Sequence, residues 1–248
     1  MNPPPPIEVE KAFGNFVKLF GGELISELVG SSPPFANADF LFREQNVVAE
    51  LKCLSKNVLT DSIYKKTLAD LYEKWIAQNR ITNPGWGTFH IDVTKHPSEC
   101  QREYFQILGK PLHTAVEKAN RQIKKTKEHL NLPQAKGLLL LVNDGCWSLE
   151  SNVMLYLADK TLGQRYSGIN TMVYFTVNMA ARLEGLERDA LIWVPASRKD
   201  KDTVPEDFLS ELQRGWCAHY AKLINQEVPS FIVEDHKKIQ EMKFIRRF

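Results

Sequence analysis

Apolar positions along the chain follow two periods. Val9, Phe13, Phe16, Val17 and Phe20 recur at helical spacing over residues 8–20. Gly21-Gly22 interrupts, and Glu23 to Val29 predicts a second helical piece before Gly30-Ser-Ser-Pro-Pro. Phe40-Leu-Phe42 and Val47 to Leu54 then predict two short strands joined by a polar turn. Residues 61–79 return to helical spacing through Ile63, Leu68, Leu71, Trp75 and Ile76. After the turn at Asn83-Pro-Gly-Trp-Gly, the alternation from Thr88 to Val93 predicts a strand, with His90 and Asp92 on its wet face rather than on a metal. Leu112, Val116, Ala119, Ile123 and Leu130 form one stripe of a strong helix over 112–130. Gly137-Leu-Leu-Leu-Leu-Val-Asn-Asp144 is apolar without alternation, as a strand buried on both faces must be. A helix near Leu149–Leu162, strands around Thr171–Val177 and Ala190–Val194, and a helix over Glu206–Ile224 complete the pattern, the last with Phe208, Leu212, Trp216 and Leu223 on one side.

At 248 residues and 43% hydrophobic content, the chain can bury a substantial core. Its net charge of +2 does not announce a nucleic-acid protein, so any such surface must be local. The helix over 112–130 supplies one: Lys118, Arg121, Lys124, Lys125 and Lys127 stand against Glu117 and Glu128. Lys118, Gln122 and Lys125 share one face of it. Cys53, Cys100, Cys146 and Cys217 are widely spaced without a C-x-x-C, which suits reduced thiols in a cytoplasmic protein and indicates neither a zinc site nor a disulfide framework. Met1-Asn-Pro-Pro-Pro-Pro-Ile7 reads as a stiff polyproline-like lead rather than a signal peptide. No apolar run approaches the ~20 residues that span a bilayer. Neither repeats, a P-loop nor a dinucleotide fingerprint is present.

The chemistry concentrates on Asp39, Glu50 and Lys52. Side chains on a strand alternate faces, so Glu50 and Lys52 point one way while Ala49, Leu51 and Cys53 point the other. If residues 40–42 and 47–54 pair as a hairpin, Asp39 falls beside Glu50, and two carboxylates meet one ammonium group. A Glu-x-Lys triplet alone is weak, since roughly one arises by chance in a chain of this length. Glu241-Met-Lys243 is such a copy, in a polar run that reads as a solvated face. Glu50 and Lys52 differ because they interrupt an apolar strand, where unpaired charge costs several kcal/mol. The alternatives are a half-exposed strand with both groups in water, or a structural cluster in which Lys52 neutralises Asp39 and Glu50.

Asp39, ten residues, then Glu50-Leu-Lys52, with a helix before and a helix and apolar strand after, resembles the PD-(D/E)xK nuclease superfamily. One departure is Ala38, where proline often precedes the aspartate. The resemblance implies an α/β, restriction-endonuclease-like core with a central mixed β-sheet flanked by helices, over residues 7–56 and 112–143. Residues 57–111 are then a helical insertion and 144–248 a C-terminal extension of a single domain. It further implies Mg²⁺ or Mn²⁺ as cofactor, held by Asp39, Glu50 and the Leu51 carbonyl. Lys52 would position the attacking water, with Gln122 as a further catalytic candidate and a helix glutamate (Glu10, Glu23 or Glu27) joining the site. Lys118, Arg121, Lys124 and Lys125 would grip nucleic acid, DNA by preference. The basic, aromatic tail Lys243-Phe-Ile-Arg-Arg-Phe either contacts nucleic acid or packs on its own core. The expected activity is metal-dependent DNA cleavage in restriction or phage defence, with a homodimer or a defence-system protein as partner. The competing expectation is an inactive nucleic-acid-binding or assembly module on the same fold.

Overall fold

The strands over residues 47–54 and 136–143 sit at the centre of the sheet, where both faces are covered. The computed structural model describes residues 5–30, 33–57, 59–82, 85, 92–147, 149, 151–162, 166–182, 190–198, 202–228 and 243–246. Helix α1 (Val9–Leu19) leads into β1 (Glu23–Leu24), the short α2 (Ile25–Val29), β2 (Phe40–Phe42) and β3 (Val47–Leu54). There follow α3 (Ser62–Ala77), a 3₁₀ turn at Val93–Lys95, α4 (Ser98–His129), β4 (Lys136–Asn143) and α5 (Ser151–Leu162). Strands β5 (Thr171–Thr176), β6 (Met179–Arg182) and β7 (Trp193–Ser197) precede α6 (Glu206–Ile224) and β8 (Lys243–Arg246). Six strands form one open mixed sheet in the order β1-β2-β3-β4-β5-β7. β3, β4 and β5 run parallel, and antiparallel strands extend both edges.

The sheet separates two cores. Val48, Leu54, Leu139 and Leu141 pack under α4 and α5 with Leu112, Val116, Ala119 and Ile123. Val47, Ala49, Leu51, Leu138 and Leu140 pack under α1 and α6 with Phe13, Phe16, Leu212 and Trp216. Each buried aliphatic or aromatic side chain contributes roughly 1.5–3 kcal/mol, so this two-sided burial is what commits β3 and β4 to the middle. The turn between β2 and β3 closes with Asn46 at φ 53°, the left-handed region where asparagine is favoured.

Several elements differ from the sequence expectations. Residues 23–24 pair with β2 before the helical piece begins. The core helix starts at Ser98, not at 112, and runs straight through Pro111. Proline there removes one backbone hydrogen bond, at about 3 kcal/mol, but Leu108, Gly109 and Leu112 bury on both sides of it and hold the helix together. Residues 98–111 are therefore the first half of the core helix rather than part of an insertion. Ile63 is exposed, and Leu71 and Trp75 carry the contact of α3 with α4. On α6, Leu223 faces solvent while Tyr220 and Ile224 complete the apolar side. Ala190 makes only an isolated bridge to Ala181, and the edge strand begins at Trp193. The tail residues Lys243–Arg246 pair with Met179–Arg182 as a separate two-stranded sheet. No helix of the described residues is long and apolar enough to cross a membrane.

Candidate active site

Register decides the site. Phe40 lies opposite Ala49, and the Asp39 N–H donates to the Ala49 carbonyl at 3.2 Å. One rung further β2 has ended, and the Asp39 side chain takes its place: Oδ2 accepts the Leu51 N–H at 2.8 Å. That bond pins the carboxylate beside Glu50. Because the N–H and C=O of one strand residue point to the same side, the Leu51 carbonyl also faces the space beyond the end of β2.

Glu50 and Lys52 project from the α4 face of β3. Glu50 is fully buried and its Oε1 is ion-paired with Lys52, whose side chain keeps 17% exposure. The second oxygen, Oε2, is buried with no donor among the described residues. Burial and the neighbouring Asp39 charge push the Glu50 carboxyl up to about 8, against the opposing pull of Lys52. Burial also raises Asp39, although the Leu51 N–H and Lys52 oppose it. Two carboxylates thus share one ammonium group, leaving the cluster short of one positive charge or one proton.

Gln122 reaches the same end of the sheet from α4, its Nε2 donating to the Asn37 carbonyl at 2.7 Å. Its Oε1 is buried with no donor among the described residues. One helical turn on, Thr126 Oγ1 accepts the Ala38 N–H at 2.8 Å, so α4 clamps the strand that carries Asp39. Of the three helix glutamates, Glu23 pairs with Arg43 and Glu27 with Lys18, both exposed. Glu10 is the one whose charge bears on Asp39. It also bears on Asp144, just past the end of β4, whose carboxyl burial raises against a hydrogen bond from Ser55, and whose Oδ1 is buried with no donor among the described residues. Asp144 went unnoticed in the sequence. Its signal was the parallel register, which sets Leu54 opposite Asn143 and so brings Ser55 alongside Asp144. Gly145 permits that approach, since a Cβ there would lie 2.2 Å from the Ser55 carbonyl oxygen.

Lys118, Arg121, Lys124 and Lys125 are all exposed on α4. Lys118 and Lys125 are exposed on the Gln122 side and have no acidic partner among the described residues. The Lys124 stem instead lies against Gly168, where a Cβ would come within 2.8 Å of its Cγ. Arg121 is exposed between the two flanks. Asp92 caps the 3₁₀ turn, accepting Thr94 N–H at 3.1 Å, so it is no strand residue. His90 and Glu241 lie outside the described residues. None of the four cysteines is in a disulfide among the described residues.

No family model, no curated protein and no solved structure matches this chain. Among the described residues no three His, Cys, Asp or Glu side chains converge as a metal cage. Mg²⁺ does not require one: it is commonly held by one or two carboxylates, with waters and substrate phosphate completing the shell. Asp39, Glu50 with its donorless Oε2, and the Leu51 carbonyl supply hard oxygens that fit such an ion.

Proposed function

We propose that this protein is a Mg²⁺- or Mn²⁺-dependent nuclease that hydrolyses phosphodiester bonds of DNA. The observation that carries the reading is Glu50: fully buried beside Asp39, the two carboxyls sharing the single Lys52 ammonium and, below about pH 8, one proton between them. A purely structural ion pair needs one carboxylate for its ammonium, whereas here a second acid is buried beside the first, and burying charge without a partner costs several kcal/mol.

Asp39 and Glu50 would hold the metal, with the Leu51 carbonyl as third oxygen. When bound, the ion polarises the phosphate and lowers the pKa of water. Lys52, on the same face as Glu50 and open to solvent at its tip, orients the attacking water and stabilises charge developing on the phosphate oxygens. Gln122 holds the Asn37 carbonyl with its amide nitrogen and presents its oxygen inward, positioning the loop before Asp39. Glu10 adds negative charge on the α1 side. Lys118 and Lys125 line the approach with cations for the strand backbone.

The test is incubation of the purified protein with supercoiled, linear and single-stranded DNA in Mg²⁺, Mn²⁺ or EDTA, alongside Lys52→Ala. Cleavage that needs the metal and disappears in the variant is the expected result. Equal cutting by the variant, or no cutting with no metal-induced thermal stabilisation, overturns the reading.

A further inference from the structure

A second feature lies directly beyond Lys52 on the same face of β3. Leu54 follows two residues on, roughly 7 Å along an extended strand, and it opens into a cavity of about 270 Å³ between β3, α4 and α5. Leu112 and Ala115 of α4 wall one side, and Met154 and Leu157 of α5 the other. The polar members of its lining are Ser55 and Lys56, both exposed, and Cys146; none of the lining residues is acidic. An apolar cavity of roughly 150 Å³ already takes a benzene ring, so this one has room for a purine or a pyrimidine.

We propose that the cavity receives one unstacked nucleobase of the substrate, adjacent to the phosphate held at Lys52. This rests on the nuclease reading for its choice of ligand. Three features favour a base over another apolar guest. Lys52 and Lys56 lie on either side of Leu54 in the chain, as suits the phosphates flanking a single nucleotide. The walls are apolar while Ser55 and Lys56 at the rim offer hydrogen bonds, which is the division of labour a base needs between its faces and its edge. Trp147, the neighbour in the chain of the lining residue Cys146, is 39% exposed and offers an aromatic face on which a second base could stack.

The experiment uses the full chain carrying Glu50→Gln, which under the nuclease reading binds without cutting. It is titrated with a single-stranded oligodeoxynucleotide bearing 2-aminopurine, and with the same strand bearing an abasic site there. A saturable fluorescence change is expected, with affinity at least roughly tenfold better than for the abasic strand. Adding Ala115→Phe, which fills the cavity, should remove that advantage. Ala115→Met, which fills it partly and keeps a helix-favouring residue, should reduce it by an intermediate amount. Equal binding of the intact and abasic strands, or a full advantage retained in a folded Ala115→Phe protein, overturns the proposal. The cleavage assay of the unaltered chain is read separately. Base-dependent binding without cutting keeps the pocket and removes the nuclease, whereas metal-dependent cutting with indifference to the abasic site does the reverse.

Discussion

Glu50 and Glu103 are both held by cations, and they are held differently. Glu103, on α4, has a full set of donors. Oε2 accepts Lys74 Nζ at 2.9 Å and Trp75 Nε1 at 3.3 Å, while Oε1 accepts Arg80 Nη1 at 2.6 Å. Those donors, Arg80 foremost, pull its carboxyl down to about 2. Glu50 is buried more deeply and has far less: one ammonium on one oxygen, a second acid beside it, and a carboxyl pushed up to about 8. The first cluster ties α3 to α4 and is complete. The second is incomplete where an added cation would complete it, and this difference, rather than the presence of ion pairs, separates a candidate site from a structural brace.

The largest test of the comparison is activity. Asp39→Ala should lower DNA cleavage by roughly a thousandfold or more, because it removes both a metal oxygen and the acceptor that fixes the Leu51 backbone. Glu103→Gln should leave cleavage unchanged. Parallel rates for the two variants would erase the distinction.

Stability against pH gives the next effect. In the absence of metal, folded Glu50 keeps its proton up to about 8, whereas the unfolded side chain loses it near 4.5. The folded state therefore binds more protons between those values, and stability must fall as pH rises across that window. A decline of about 2 kcal/mol is expected, less than the full shift implies because Lys52 reaches solvent. Glu50→Gln should flatten most of it and make the protein more stable than the parent at pH 8, by chemical denaturation in EDTA. A slope of opposite sign would mean that Glu50 is ionised in the folded chain. The same proton competes with the metal, so Mg²⁺ affinity measured by calorimetry should rise roughly tenfold per pH unit below about 8 and level off above it.

How much of this was legible beforehand follows from which forces act locally. The hairpin was readable because strand alternation has a period of two and the polar turn leaves little freedom of register: Asp39 falls beside Glu50 as soon as Phe40 pairs with Ala49. The unbroken leucines of β4 likewise announced a strand buried on both faces. That the charge of Glu10, rather than that of Glu27, bears on Asp39 was not readable, because the rotation of α1 on the sheet is set by Phe13 and Phe16 packing against Trp216, some two hundred residues away. The start of α4 was hidden because proline is a good local signal for a helix boundary, and tertiary burial of Leu108 and Leu112 outweighs it. That the Lys124 stem lies against Gly168 was hidden for a related reason: position on a helix gives an angle, but not what packs against it.

The flanks of α4 provide a smaller test. Lys118→Glu with Lys125→Glu should weaken DNA binding and reduce the salt dependence, the slope of log K on log salt falling by about 2. Lys124→Ala, whose stem packs on Gly168 away from the Gln122 side, should shift the slope little. Equal effects would place the nucleic acid across the top of the helix rather than on its Gln122 side.

The smallest effect belongs to the complete cluster itself. Glu103 is solvated, and its lowered carboxyl contributes stability that is present above its ordinary pKa and fades as pH falls toward about 2. Arg80→Ala removes its strongest donor but leaves Lys74 and the Trp75 indole in place. The melting temperature should therefore drop by a few degrees at most near neutral pH, and the difference from the parent should shrink on acidification. Cleavage and metal affinity should not change. A drop that persists at low pH would assign the role of Arg80 to its stacking on Trp75, whose ring centroid lies 5.9 Å from the guanidinium carbon, rather than to Glu103.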